Sequence, residues 1–434
     1  MFQTPVFSLE RIRLLKSWIK ERLWVRPLAV SVLSVFGVFF ANLADDSFLS
    51  GVLPQIGIDS VISLLTIMAS SMLVIATFAV GSMVSAYSSA STGSTPRSFP
   101  LVVSDDVTQN ALSAFVGAFI FSLVSLIAVK NNMFGDAGLF SMFALTVLVF
   151  VIVIGTFVRW VDRIARLGRI TNTVEKVEDA AAEALERRRH APTLGAVPHT
   201  LAKTGLLGTP IASSTVGYIQ HIDVRALQKS AGELNCHLIV AALPGTFVST
   251  RSTLLQVIGS DSFDIEMLRS AFRIGRHRAF EDDPRFGLLA LSEIADKALS
   301  PALNDPGTAI SIIGTMVRLF TLWQAPLEDD EVPGIDHDRI FVPVLTTADL
   351  FDDAFTSIAR GGATIVEVSI RLQKAFAALV DLDDQAIVVA ARNHSQLALA
   401  RCEQAMVDQS DLDLVRKAAA PCMHAKQLVG HAAN

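Results

Sequence analysis

The chain has 434 residues, of which 51% are hydrophobic and 18% charged, and a net charge of −6. That length suits two or three domains, and the charge excludes a strongly basic nucleic-acid binder. Three cysteines without a Cys-x-x-Cys pair exclude a disulfide framework and a structural zinc site.

The N-terminal arm, residues 1–26, carries Arg11, Arg13, Lys16, Lys20, Arg22 and Arg26. Four uncharged stretches follow: Pro27–Ala44, Ser60–Pro96, Val107–Val129 and Ala137–Val158. A helix of about 20 apolar residues crosses a hydrocarbon core of about 30 Å, so the expectation is four transmembrane helices over residues 27–158. The first stretch follows a charged arm and lacks a small-residue cleavage site, so it reads as a retained anchor. The first loop holds Asp45, Asp46 and Asp59 without Lys or Arg, whereas Arg159, Arg163, Arg166 and Arg169 follow the fourth stretch. By the positive-inside rule both termini face the cytoplasm of a bacterial inner membrane.

None of the four stretches has a charged residue in its interior, which argues against a proton-coupled pump. The second has Ser63, Ser70 and Thr77 spaced by sevens, joined by Ser60, Ser71 and Gly81. At 3.6 residues per turn these share one face. They serve either close helix packing or a neutral polar pore lining in an oligomer.

Past the fourth stretch, Leu167, Ile170, Val174, Val177, Ala181 and Ala184 form a heptad seam. Residues 159–190 thus read as a helical stalk, packed on its own domain or self-associating. Residues 191–261 read as a linker and a β-rich module, with strands in "VGYIQHID", "CHLIVAAL" and "PGTFVSTRSTLLQVIG". The last of these resembles the hairpin of barrel-sandwich modules, but Arg251 stands where a carrier needs lysine, so a carrier role is not expected. Residues 262–434 read as mainly helical, at about 263–275, 284–299, 306–323, 348–360, 364–380, 383–408 and 410–419. Residues 171–434 hold 24 Lys and Arg against 33 Asp and Glu, a net −9 that disfavours nucleic acid.

Several clusters are candidates for chemistry. Arg269, Arg273 and Arg276 would share a helix face, with His277 and Arg278 beside them, either gripping a phosphate or pairing with Glu281, Asp282 and Asp283. "IDHDRI" and "LFDDAF" gather carboxylates and a histidine without a metal-ligand spacing. No metal site, cofactor motif or catalytic residue is expected, since GxSxG, Walker A and GxGxxG are all missing. His394 reads as a solvated residue on a polar helix.

Four segments resemble one bacterial family. These are "STPRSFPLVVSDDVTQNALSAFVGAFIFSLVSL", "SSTVGYIQHIDVRAL", "ALPGTFV" and "RHRAFEDDPRFGLLALSEIADKALSPALNDPGTA". The chain is similar to the predicted multi-pass membrane proteins with domain of unknown function 2254, with Thr95 and Thr246 departing from the family pattern. The resemblance implies a membrane protein and carries no activity.

The segment "ALSPALNDPGTA" closes the longest block. Ser-Pro stops one helix, and Asp305 with Pro306 starts the next. Capping leaves Ser300 and Asn304 unexplained, so Arg278, Asp283, Ser300, Asn304 and Asp305 are the candidate ligand-binding residues. The expected architecture is four membrane helices plus a cytosolic α+β domain with a small β-barrel-like module and a helical C-terminal region. The expected role is an oligomeric channel or transport-related protein in the lipid bilayer, associating through stalk and spans. The alternative is a membrane-anchored regulatory or scaffold protein.

Overall fold

A computed structural model describes residues 25–43, 54, 56–93, 95–103, 106–167, 169–199, 208–327 and 334–424. The arm ahead of Val25, and Asp45 and Asp46 of the first loop, lie outside the described residues. The chain divides into two compact units, Met1–Thr173 and Val174–Asn434.

The first unit is helical: α1 (Val25–Leu43), α2 (Ile58–Gly93), the short α3 (Phe99–Val103), α4 (Asp106–Lys130) and α5 (Asp136–Leu167). Helix α4 is the centre, packing on α1, α2 and α5. Half of its apolar window is buried, against 28% for α2 and α5, which leave their outer faces to the surroundings. Gly117 lets α1 approach α4, because a Cβ there would overlap the side chain of Val30. Trp160 is buried between Phe78, Phe115 and Phe157, at ring-centroid distances of 6.0–6.1 Å. Buried hydroxyls on α4 and α5 return to their own helix: Ser113 bonds Gln109 O, Ser122 bonds Ala118 O and Thr146 bonds Met142 O.

Three helices among the described residues are long and apolar enough to span: α2, α4 and α5. The expected fourth, α1, has 19 residues, roughly 28 Å at 1.5 Å per residue, but its described apolar run stops at Phe36. Among the described residues there are therefore three candidate spans where four were expected.

The second unit combines sheets and helices. Helix α6 (Ile170–His190) leads into it. Its seam residues Val174, Val177, Ala181 and Ala184 are buried. Gly287 packs directly on Ala181, and Glu178 receives both Arg318 and Thr315. The seam expected of a stalk is thus occupied by the chain's own domain.

Strands β1 (Ala196–His199) and β2 (Thr209–Ala212) arise where a linker was expected; residues 200–207 lie outside the description. Then come β3 (Gly217–Ile222), α7 (Val224–Glu233), β4 (His237–Val240), β5 (Phe247–Val248), β6 (Thr253–Ile258), α8 (Ile265–Ser270) and β7 (Phe272–Gly275). Helices α9 (Pro284–Ala298) and α10 (Pro306–Gln324) precede β8 (His337–Pro343). The chain ends in α11 (Thr347–Gly361), α12 (Val366–Val380), α13 (Gln385–Ala405) and α14 (Gln409–His424).

The expected barrel-like module is replaced by two open sheets, a mixed β1-β8-β4-β6-β2 sheet and an antiparallel β5-β3-β7 sheet. The reason lies in the turn after β5. Ser249 and Ser252 exchange backbone and hydroxyl hydrogen bonds there, and the chain crosses from one sheet to the other instead of closing a hairpin. Residues from both sheets, including Ile219, Ile222, Val248, Leu238, Leu255, Val257 and Ile340, form one apolar core. A further correction concerns 263–275. Helix stops at Ser270, and Phe272 and Ile274 pair with Ile222 and Ile219 on β3.

The C-terminal helices bury Phe320, Phe351, Phe355 and Phe376. His394 sits among Phe351, Phe355 and Phe376 and is 4% exposed, not solvated as expected. Its Nε2 lies 3.2 Å from Asp352 Oδ1. Burial lowers its pKa below 6.5, against the pull of Asp352. A depressed histidine pKa means that the unfolded chain takes up the proton first. Stability from this site is therefore full above about pH 6.5 and declines as the pH falls below it. Urea midpoints of the second unit at several pH values check this, and His394→Phe should flatten that part of the profile.

Candidate functional site

On α2 the residues Ser63, Ser70 and Thr77 are exposed, together with Thr66, Gly81, Ser85 and Ser89. The face of small and hydroxyl side chains thus points away from α4, which contacts the opposite side. Local geometry satisfies two of these hydroxyls: Ser70 Oγ bonds Thr66 O at 2.9 Å and Thr77 Oγ1 bonds Leu73 O at 2.8 Å. They need no partner within the chain, yet Ile67, Val74, Phe78 and Val84 flank them as in a lipid-exposed surface. A Cβ on Gly81 would meet nothing within 4 Å, so no neighbour in this chain requires that glycine. Beside it, between the ends of α2 and α5, an open groove of about 750 Å³ is lined by Gly81, Ser82, Ser85, Ser89, Ile164 and Arg169.

In the second unit the candidates gather as a charged clasp. Asp283 precedes α9 and is 2% exposed; Arg278 grips it bidentately, Nε to Oδ2 at 2.6 Å and Nη2 to Oδ1 at 3.0 Å. Burial pushes the Asp283 carboxyl up, against Arg278 and Arg285. Arg278 also lies over the Phe286 ring at 5.3 Å. The turn at Gly245, with φ +92, leaves room for this carboxylate: a Cβ there would sit 2.6 Å from Asp283 Cγ. Next door, His221 Nδ1 meets Asp282 Oδ2 at 2.6 Å. Burial works against the Asp282 charge, but His221, Arg187 and Arg188 outweigh it and hold its pKa below the usual value.

The end of α6 completes the clasp. Arg187 donates to Glu281 O at 2.6 and 3.0 Å, and Arg188 to Asp282 O at 3.2 Å. Arg188 is 4% exposed, and burial lowers its pKa. The Arg-Arg-Arg-His run at 187–190 is the sequence signal for these partners, and the sequence reading did not single it out. Arg285 extends the network to Asp353 at 2.6 Å. Positive and negative groups alternate throughout, which makes the clasp a fastening between α6, β3 and α9 more than an open anion cradle.

The arginine row does not form. Arg269 closes α8 and donates to Ala212 O, Arg273 pairs across to His221 on β3, and Arg276 is exposed beyond β7. Two backbone geometries place successive members on different faces.

Ser300, Asn304 and Asp305 lie at the other end of α9 from Arg278 and Asp283. That helix has 15 residues, roughly 22 Å. The two halves of the candidate set are therefore separate places. Asp305 caps α10; the Thr308 hydroxyl, and then Thr308 N at 3.1 Å, donate to its carboxylate and lower its pKa. Asn304, exposed, has φ +46. Asparagine is among the few residues that visit this left-handed region readily. Asn304→Val should lower stability by ~1–2 kcal/mol while Asn304→Gly leaves it unchanged, as read by thermal unfolding.

Among the described residues no group of three or more His, Cys, Asp or Glu is placed to hold a metal ion. A family model described as predicted membrane protein (DUF2254) matches residues 20–378, and the chain belongs to that family. Uncharacterized proteins of Mycobacterium bovis and Mycobacterium tuberculosis are each 27% identical over 226 residues, covering 49% of this chain and 42% of theirs. The chain thus spans less than half the length of these curated relatives. No solved structure matches it.

Proposed function

We propose that this member of the family is an inner-membrane protein with four spans and cytoplasmic termini, which assembles as a channel or transport-related oligomer. Copies meet around α2, and Ser63, Ser70 and Thr77 line a neutral polar path between them. The observation that carries this reading is the run of hydroxyl and small side chains on the outward face of a membrane-length helix. Small and hydroxyl side chains of this kind suit a close helix contact between copies or a neutral polar lining. The second unit then gates or senses: the clasp grips the end of α6, so a change at Arg278 or Asp283 reaches the helix that follows the last span. Reconstitution in lipid with flux of small ions and neutral solutes tests it. Ser70→Leu should cut flux at least about tenfold without lowering stability, because Ser70 is exposed and bonds its own helix. Absence of flux from a well-folded wild-type protein, together with a monomeric state, removes the reading. A second reading, supported by the compactness of the second unit as a body of its own, has the spans only anchor a regulatory or scaffold domain that binds a ligand or partner.

A further inference from the structure

The three-stranded sheet leaves one end uncovered. Tyr218 on β3 stands opposite Phe247 on β5 and Gly275 on β7. The Tyr218 and Phe247 rings meet edge to face at 5.1 Å. Phe247 is 57% exposed. Val216, immediately ahead of β3, is 60% exposed. Both neighbours run antiparallel to β3, so the chain leaving each of them emerges where β3 begins. What emerges is basic: Arg251 after β5, Arg276 and His277 after β7, all exposed. Gln220 Nε2 donates to His277 O at 2.8 Å and folds that loop back beside the aromatic pair. No Asp or Glu occurs in residues 213–222, 246–260 or 272–280, although residues 171–434 carry a net −9.

The nearest carboxylates, Asp282 and Asp283, are already held by His221 and Arg278, so exposed apolar and aromatic side chains beside the exposed Arg251, Arg276 and His277 match the chemistry of a lipid interface. Aromatic rings settle at headgroup level, and arginines pair with lipid phosphate. We propose that this sheet end docks on a phospholipid surface rich in anionic headgroups. Nucleic acid fits less well, because the acidic remainder of the unit would repel it. The inference is independent of whether the spans conduct.

The test uses the full chain in nanodiscs. Thr246→Cys places a thiol beside the patch without altering Val216, Tyr218 or Phe247, and the native Cys236, Cys402 and Cys422 are buried. Val407→Cys, at a 95% exposed position, is the reference. Each thiol carries a fluorophore, and the discs contain a lipid spin-labelled at its headgroup. In discs of mixed phosphatidylglycerol and phosphatidylcholine the label at 246 should be quenched several-fold more than the label at 407. Arg251→Glu and Arg276→Glu should each weaken that contact about fivefold, as should replacing all phosphatidylglycerol with phosphatidylcholine. Equal quenching of the two labels, or quenching indifferent to charge reversal, overturns the proposal. So does protection of the 246 label from aqueous iodide without headgroup quenching, which would assign the patch to a protein contact.

Discussion

Asp283→Ala is expected to lower the stability of the second unit by about 3–5 kcal/mol, the cost of removing one partner of a buried, hydrogen-bonded ion pair. The variant leaves Arg278 with neither of its two carboxylate contacts, and it strips a counter-charge from Arg188, which is more than nine-tenths buried. The exposed pairs of the same unit set the contrast. Truncating Arg416, which pairs with Glu403, or Lys229, which pairs with Glu233, should leave the stability of the unit essentially unchanged, because solvent screens both pairs. Hydrogen exchange of α9 amides under urea reads the difference. A loss at Asp283 no larger than at Arg416 would mean that the clasp is solvated and fastens nothing.

Gly287→Val is the second large effect. Any Cβ at Gly287 would overlap the Ala181 side chain and come within 2.8 Å of its Cα, so backbone must move. Helices α6 and α9 would part along the seam that also holds Val177 and Ala184. Overpacking of this kind costs about 1–3 kcal/mol, and more where backbone is the obstacle. Gly232→Ala, where a Cβ meets nothing within 4 Å, should instead stabilise by roughly 0.5–1 kcal/mol. Thermal unfolding of the two variants should therefore shift in opposite directions. Equal shifts would contradict the packing of α6 on α9.

The legible parts of this sequence are those governed by local chemistry. Uncharged runs announced α2, α4 and α5, because a helix in lipid needs length and apolarity and little else. Asp305 with Pro306 announced α10, and Asp305 caps Thr308 N as its position suggested. The apolar periods of α11 to α14 were equally plain. What failed needed partners far along the chain. Strand β8 reads as a loop of charges, Asp336-His337-Asp338, until β1 and β4 pair with it on both sides. Phe272-Arg273-Ile274 continues a helical pattern until β3 offers a better ladder. The Arg278–Asp283 pair was visible as two residues five apart, but its depth and its links to Arg187, Arg188 and His221 come from α6 and β3. Asn304 resisted explanation by capping because its role is a backbone angle, which no side-chain pattern reports.

The central claim, that the hydroxyl face of α2 meets other copies around a polar path, is tested most directly by Ser70→Cys in native-like membranes. The three native thiols are buried, so the new one reports alone. The account predicts oxidative cross-links between copies and modification by a small, charged, water-borne thiol reagent. A thiol at position 70 that stays uncross-linked and reacts solely with a lipid-soluble reagent would contradict it.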